Sequence, residues 1–420
     1  MSTVRDILGT PAHLTRVRNP PRQLRRPRPC LAAPIAAALT LLGCAPGTDA
    51  PQAVTVTDSA GIRIVHHAAS PPPPQWSIVD EDARLLEGDP ASPMFQVGAA
   101  LQLDDGRYAV ADAGNARVLF LDSAGDVVSA TGRSGEGPGE FQHLTLLARG
   151  TADSLLVWDR QLRRMSVLTP AGAFARSFSL EATEDVPFAN VGDVYADGSI
   201  LATGFVDTGG GGPASGRHAY TSPSFHFAAD GAFLGVAGSF PTSESYYDVF
   251  EGGFSVFPVL FGTQSMRLAA GNRLLTATSD RYELSLRSPD GAVQMVVRRE
   301  AGRLPVTSEA RRIAIERLVE ASRGDPTRLE EVLAEMETPD HLPEFSSIFA
   351  DRLGRVWVRE YEVDEGPVVE WWVYDADGLA VGSIALPARF VPTDAGDDFV
   401  LGVLSDELDV QSVVEYPIRR

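Results

Sequence analysis

A strand-and-turn unit recurs along most of the chain, and it constrains the fold more than any other feature of the sequence. In its clearest copy, Val118-Leu119-Phe120-Leu121 leads into the turn Asp122-Ser123-Ala124-Gly125. An apolar run that ends in such a turn predicts a β-strand followed by a hairpin. Counted back from the turn glycine, positions −7 and −5 hold an apolar pair in the other copies too: Met165 and Val167, Leu284 and Leu286, Trp371 and Val373, with a one-residue slip to Phe225 and Phe227.

Another strand with its own turn precedes each of these strand-and-turn units, and one more such strand occurs near the end of the chain. These upstream strands lie at 105–112, 153–159, 197–202, 271–277, 354–358 and 398–404. Strand, turn, strand and turn repeated every 45 to 85 residues is the spacing of β-propeller blades, which are four-stranded sheets arranged around an axis. The sequence therefore predicts an all-β, six-bladed propeller over residues 54–420.

The two ends of this domain complement each other. The chain stops after a strand near residue 418 with no further turn, so the last blade lacks its outer strand. The segment 54–65 carries the same strand-and-turn pattern before Gly61 and has no blade of its own. We expect this segment to pair with the last blade and close the ring, because closure removes exposed strand edges.

Two insertions interrupt the repeat. Gly209 to Gly212 lie in a glycine-rich loop of the third blade. A segment at about 305–340 has helical spacing, with Leu329, Val332 and Leu333 on one stripe and Ile315, Leu318 and Val319 on another; Asp325 before Pro326 is a helix-start pattern. The pattern predicts two amphipathic helices that cover one face of the ring or meet a partner.

The first 43 residues have the features of an export signal. Arginines between residues 16 and 28 precede an uncharged stretch at 31–42, which is too short to cross a bilayer as a helix. Leu41-Leu42-Gly43-Cys44 resembles a bacterial lipobox, which implies cleavage before Cys44 and a diacylglycerol on its thiol. Residues 44–53 then form a flexible tether. Ala45 after the cysteine implies the outer membrane, on its periplasmic or cell-surface face.

Charge and cysteine content exclude several classes of protein. The signal holds seven of the 36 basic and one of the 56 acidic residues, so 29 basic and 55 acidic residues remain. This acidic excess repels phosphate backbones and argues against nucleic-acid binding. The two cysteines, Cys30 and Cys44, both precede the domain, which excludes a disulfide framework or a cysteine metal site within it.

The run Val110-Ala111-Asp112-Ala113-Gly114-Asn115-Ala116-Arg117-Val118 resembles the NHL repeat, and so does the glycine-rich 132–141 that follows it. The second blade keeps the pattern at 157–165 but loses the asparagine. The body of the chain is similar to bacterial six-bladed propeller lipoproteins of the NHL-repeat type. Because members of that group mostly have no assigned activity, the resemblance implies the fold and not the function.

The candidate chemical motifs each have a structural interpretation that we favour. The glycines of 132–139 lack the Lys-Ser/Thr ending of a phosphate loop and predict an inter-blade loop. Asp375-Ala376-Asp377-Gly378 lacks the downstream glutamate of a calcium loop and predicts a hairpin turn. His226 is expected to pack within its strand. His143 is expected to be a surface residue, and the alternative is a place at the channel mouth.

With no catalytic motif, no metal-ligand spacing and no cofactor motif, we favour a binding or scaffolding module. It is expected to be a monomer that is held to membrane lipid through Cys44 and presents its loops and channel to a protein, peptide or glycan. The alternative is a metal-dependent hydrolase or lyase with ligands from several blades in the central channel. Such ligands are dispersed in sequence and have no recognisable pattern.

Overall fold

The computed structural model describes residues 53–69, 72–89, 91–184, 186, 188–206, 214–300, 302–320 and 326–420. The strands at the start of the chain are β1 (Val54–Ser59), β2 (Ile62–His67), β3 (Gln75–Ile78) and β4 (Arg84–Leu86). The next are β5 (Val97–Gln102), β6 (Tyr108–Asp112), β7 (Arg117–Leu121), β8 (Val127–Thr131), β9 (Leu144–Arg149), β10 (Leu155–Asp159), β11 (Arg164–Leu168) and β12 (Phe174–Phe178). Then follow β13 (Asn190–Val194), β14 (Ile200–Thr203), β15 (Gly216–His218), β16 (Thr221–Phe227), β17 (Phe233–Pro241), β18 (Ser245–Phe250) and β19 (Gly253–Pro258).

The second half contains the helices. Its elements are β20 (Ser265–Ala270), β21 (Arg273–Thr278), β22 (Glu283–Arg287), β23 (Val293–Arg299), α1 (Ser308–Glu320) and α2 (Pro326–Glu335). The last strands are β24 (Phe345–Ala350), β25 (Val356–Glu360), β26 (Val368–Tyr374), β27 (Ala380–Pro387), β28 (Phe390–Ala395), β29 (Phe399–Ser405) and β30 (Gln411–Arg419).

The strands group into four-stranded antiparallel sheets that follow one another along the chain. The first five are β5–β8, β9–β12, β13-β14-β16-β17, β20–β23 and β24–β27, and the last combines β28, β29 and β30 with β4. The strands recognised in the sequence form the second and third members of these sheets. The prediction of a mostly β, propeller-type architecture of repeated four-stranded sheets is therefore confirmed.

The first strand of each sheet lies against the first strands of its neighbours. β5 contacts β9, β9 contacts β13, β13 contacts β20 and β20 contacts β24, while β5 also contacts β28. Apolar side chains fill the spaces between adjacent sheets, as Phe120 and Leu155 do between the first two. The core is consequently divided among the sheet-to-sheet interfaces, as expected when each repeat packs only on its neighbours.

The segment predicted to close the last sheet lies elsewhere. β1 and β2 form a hairpin, and β2 pairs in parallel with β23, where the buried Val65 packs with Met295 and Val297. The outer strand of the last sheet is instead β4, whose Leu86 is opposite Val413 of β30. The prediction for 54–65 was wrong because its apolar pattern specifies a hairpin without specifying which free edge receives it.

Strand β4 has three residues, Arg84-Leu85-Leu86, and is too short to show any alternation in the sequence. It is nevertheless well fixed, because Leu86 is fully buried among the side chains of the first and last sheets. Strand β3 adds a second link, pairing with β27 on one side and with β30 on the other. The start of the chain therefore contacts three different sheets.

The insertions form a separate small unit. β18 and β19 are a hairpin that pairs with β15, and α1 packs against α2. The predicted stripe Leu329, Val332 and Leu333 is buried against the segment Val259 to Phe261 that follows β19. The prediction of two amphipathic helices is confirmed, while Asp325 and the loop Gly209 to Gly212 lie outside the described residues.

Two adjacent tryptophans both face the core. Trp371 packs toward the last sheet and Trp372 toward the β20–β23 sheet, so the two indoles occupy opposite faces of β26 as alternation requires. Arg299 covers Trp372, with its guanidinium carbon 4.2 Å from the ring centroid. Neither helix is long and apolar enough for a bilayer crossing.

Candidate functional site

The residues whose pattern resembles the NHL repeat hydrogen-bond to one another and to the backbone, and so have structural roles. Asp112, at the end of β6, is fully buried, and its Oδ1 accepts a 2.8 Å hydrogen bond from the backbone N–H of Phe95. Asn115 donates to both carboxylate oxygens, and Arg117 Nε donates to Oδ2 at 2.7 Å. The carboxylate thus ties the segment entering β5 to the turn after β6, which accounts for these residue types without a ligand.

The second sheet repeats this arrangement with different partners. Asp159 accepts hydrogen bonds from the backbone N–H groups of Gln142, His143 and Leu162. Leu162 stands where the first sheet has its asparagine, and its main-chain N–H substitutes for the side-chain amide. His143 therefore lies at the entrance to β9, although nothing brings it together with other ligand-type side chains in a metal cluster among the described residues.

The glycine-rich segment is an inter-sheet loop, as predicted. Gly132 and Gly139 have φ values of 105° and 74°, which glycine adopts without strain. Arg164 donates hydrogen bonds to three carbonyl oxygens of the loop, those of Glu136, Gly137 and Glu140. A loop whose carbonyls are held by an arginine is not arranged as a ring of N–H donors for phosphate.

Two further structural interpretations are confirmed. Asp375 accepts hydrogen bonds from the N–H groups of Asp377 and Leu379, so this segment is a hairpin turn. His226 lies 2.9 Å from the Ser199 hydroxyl and packs edge-on against Tyr195. Burial lowers the pKa of His226, which keeps the ring neutral near pH 7.

A charged cluster joins the first strands of several sheets, and we take it as the candidate functional centre. Asp394 of β28 accepts hydrogen bonds from Arg149 at the end of β9, at 2.7 Å, and from Arg352 just after β24, at 2.5 Å. Both guanidiniums also donate to the carbonyl oxygen of Gln102, and the Gln102 N–H donates to Asp394. Four sheets therefore contribute to one hydrogen-bonded network.

The electrostatics of this cluster follow from its burial. The side chain of Asp394 is 1% exposed, whereas those of Arg149 and Arg352 are 32% and 20% exposed. Burial by itself would raise the pKa of Asp394, but the two guanidiniums outweigh it and hold the pKa below its ordinary value. Arg149, Arg352 and Asp394 together carry one excess positive charge, and the carboxylate of Asp394 is fully engaged.

Asp193 of β13 occupies a comparable place between the third and fourth sheets, and no cationic side chain among the described residues pairs with it. Its Oδ2 accepts a 2.9 Å hydrogen bond from the Ala269 N–H of β20, and its Oδ1 accepts one from the N–H of Val194. Burial raises the pKa of Asp193 to about 6. Two carboxylates that make the same kind of inter-sheet contact thus have pKa values shifted in opposite directions.

Sequence reasoning did not find this cluster. Arg149 and Asp394 are 245 positions apart, and neither belongs to a motif. Only the order of the sheets brings them together, so no local signal could have identified the pair. Within the described residues, no group of three or more His, Cys, Asp or Glu side chains is placed to bind a metal ion. Cys44 and the signal lie outside the described residues.

Comparisons with known proteins give structural likeness and no family. No protein-family model matches the sequence, and no curated protein matches it. Among solved structures, a putative exported protein from Bacteroides fragilis has a TM-score of 0.45 at 12% identity, covering 85% of this chain and 99% of that one. A member of the duf4221 family from Bacteroides vulgatus gives 0.44 at 11% identity, with 82% and 98% covered. Virginiamycin B lyase from Staphylococcus aureus gives 0.39 at 9% identity, with 82% and 99% covered.

Proposed function

We propose that the six sheets close into a single ring and that the chain is an exported lipoprotein, anchored through Cys44 to the outer membrane. In this proposal the ring is a monomeric binding or scaffolding module for a protein, peptide or glycan. The loops between sheets, including the α1–α2 insertion, present the binding surface. This assignment concerns a non-catalytic role, and the chain resembles the NHL-type group in sequence pattern.

One observation supports the proposal that the ring centre has a structural and not a metal-binding role. Asp394, the carboxylate that meets the first strands of several sheets, is occupied by two guanidiniums and a backbone N–H. A carboxylate whose charge is already neutralised by arginines is poorly suited to bind a divalent cation, because the cation would have to displace both of them. The cluster instead ties sheets from distant parts of the chain into a rigid support for loops.

The anchor is tested by expressing the full chain with its own signal in a Gram-negative bacterium. We expect the chain in the outer-membrane fraction, with an N-terminal peptide whose mass corresponds to an acylated Cys44. The Cys44→Ala variant should be released in soluble form or retain its signal. An unmodified Cys44 in the exported protein would reject the anchor and leave the ring unaffected.

The binding role is tested against the hydrolase or lyase alternative by metal analysis of purified protein. A binding module should contain substoichiometric calcium and zinc after exhaustive dialysis. Stoichiometric calcium or zinc that is lost in an Asp193→Asn variant would favour the alternative.

Photocrosslinking then asks which surface a partner contacts. The crosslinker is placed at Phe250, on the β18–β19 hairpin, and at Asp230, in the turn before β17, as the matched position.

A further inference from the structure

A cavity of about 300 Å³ lies between the β9–β12 sheet and the β13-β14-β16-β17 sheet. Its walls include Trp158 at the end of β10, Arg163 in the turn after it, and Phe188 in the link between β12 and β13. The volume is at the lower end of the range typical of small-molecule sites. This cavity is separate from the Arg149–Asp394–Arg352 cluster.

Trp158 lines this cavity with its indole, whose N–H is buried and makes no hydrogen bond. Trp158 is 1% exposed, and its Nε1–H has no hydrogen-bond partner. A buried donor without a partner costs the folded state free energy, so such groups are uncommon unless something satisfies them. Because this N–H is enclosed by protein atoms, the indole contributes an aromatic wall to the cavity and not a donor.

Arg163 adds a positive charge without a counter-ion. No carboxylate among the described residues pairs with it, although acidic residues far outnumber basic ones in the domain. The turn does not require an arginine, because Ala116 occupies the equivalent place in the first sheet with φ 53°, close to the 51° of Arg163. The guanidinium lies 5.2 Å from the ring centroid of Phe188, which holds it beside the cavity.

The remaining lining sets the shape and charge of a ligand. Phe188 stacks on Phe205 with centroids 4.5 Å apart, and Phe205 is 67% exposed, so an aromatic surface is available at the rim. Leu180 and Val186 also line the cavity and are apolar. Glu181 contributes one negative charge, which disfavours phosphates and other polyanions.

We propose that this cavity binds a small ligand with a single carboxylate on an apolar or aromatic body. Arg163 binds the carboxylate, and the apolar body lies against Phe188 and the indole of Trp158. A free aromatic acid and the C-terminal residue of a peptide share this chemistry. The site goes beyond the proposed scaffolding role and does not depend on the lipid anchor.

The test is calorimetric titration of the mature chain with 3-phenylpropionate and with 3-phenylpropionamide, which differ in charge and not in shape. The acid should bind at least about tenfold more tightly, because a charge-assisted hydrogen bond is worth about 1.5–3 kcal/mol. The tripeptide Ala-Ala-Phe, with a free or an amidated C-terminus, distinguishes the two sources. Tighter binding of the free tripeptide than of 3-phenylpropionate identifies a peptide end, and the reverse identifies a free acid.

Three variants make the result specific. Arg163→Gln should abolish the preference for the acid, whereas Arg160→Gln, an exposed arginine of the same turn outside the cavity, should preserve it. Trp158→Phe should remain folded with an unchanged or higher melting temperature, since it deletes an unpartnered donor, and should keep the preference for the acid. Equal binding of acid and amide, no binding of any of these compounds at 20 mM (on the order of the weakest useful affinity), or unaltered affinity for the acid in Arg163→Gln would overturn the proposal.

Discussion

Replacing the two inter-sheet aspartates with asparagine should change stability in opposite directions. In Asp394→Asn, an amide replaces the buried carboxylate that neutralises Arg149 and Arg352. Removing one partner of a buried ion pair typically costs about 3–5 kcal/mol, because the remaining charges stay buried without compensation. We therefore expect Asp394→Asn to lose about that much free energy of unfolding at pH 7.5.

Asp193→Asn should instead be neutral or stabilising. No cation compensates Asp193, and its pKa of about 6 means that its ionised form is disfavoured in the folded state. The shift from an ordinary pKa near 4 corresponds to a penalty of at most about 3 kcal/mol above pH 6. Asparagine keeps the size and an acceptor oxygen for the Ala269 N–H and carries no charge, while the loss of the hydrogen bond from the Val194 N–H offsets part of the gain.

The two effects also differ in their pH dependence. The pKa of Asp193 is raised in the folded state, so its contribution is most favourable at low pH and is lost as the pH rises through about 6. The gain in Asp193→Asn should therefore shrink between pH 7.5 and pH 4.5. The pKa of Asp394 is lowered, so its stabilisation is present above the unfolded-state pKa near 4, and the loss in Asp394→Asn should persist over the same window.

The measurement is urea unfolding followed by tryptophan fluorescence, with far-ultraviolet circular dichroism as a second probe, for both variants and the parent chain at both pH values. A loss below about 1 kcal/mol in Asp394→Asn, the typical value of an exposed ion pair, would refute the buried-pair reasoning. So would a destabilised Asp193→Asn at pH 7.5, because it would mean that an unseen cation holds that carboxylate ionised.

Three further results are expected. Leu86→Ala should destabilise the fold by about 2–5 kcal/mol, whereas Leu85→Ala in the same strand should cost under 1 kcal/mol, because Leu86 is fully buried and Leu85 is 47% exposed; chemical denaturation measures both. Burial lowers the pKa of His67, so the stability that it contributes is present above its ordinary pKa of 6.5 and lost as the pH falls; amide exchange in β1 and β2 should be faster at pH 5 than at pH 7.5, after correction for intrinsic rates, and equal corrected rates would contradict this. Leu333→Ala should speed exchange in α1 and α2 without affecting β5–β12, while Glu330→Ala, on the exposed side of α2, should leave exchange unchanged.

The parts of the fold that could be predicted from sequence are those whose signal is local. Several of the second and third strands are buried on both faces and end in tight turns, so runs such as Val118 to Leu121 identify them directly. The helices of the insertion were equally visible, because Leu329, Val332 and Leu333 repeat with the period of a helix turn. In these elements the residue pattern and the local structure have the same period.

What could not be predicted depends on contacts between distant segments. The free edge that β2 joins is chosen by the fit of Val65 beside Met295 and Val297, and the sequence of the hairpin does not contain that information. The Asp394 cluster exists because the sheets are arranged side by side, and Trp158 and Arg163 become neighbours of Phe188 in the same way. Whether such residues form a site is a property of the assembled sheets.

The placement of the first hairpin has a mechanical consequence for a chain held at its N-terminus. A pull applied at residue 53 first loads β1, which is bonded only to β2 and can be peeled away one hydrogen-bonded pair at a time. The parallel ladder between β2 and β23 carries the load next, and β3 must then separate from β27 and β30 before any force reaches β4. The hairpin would therefore detach before the last sheet opens, and its detachment would protect that sheet from the load.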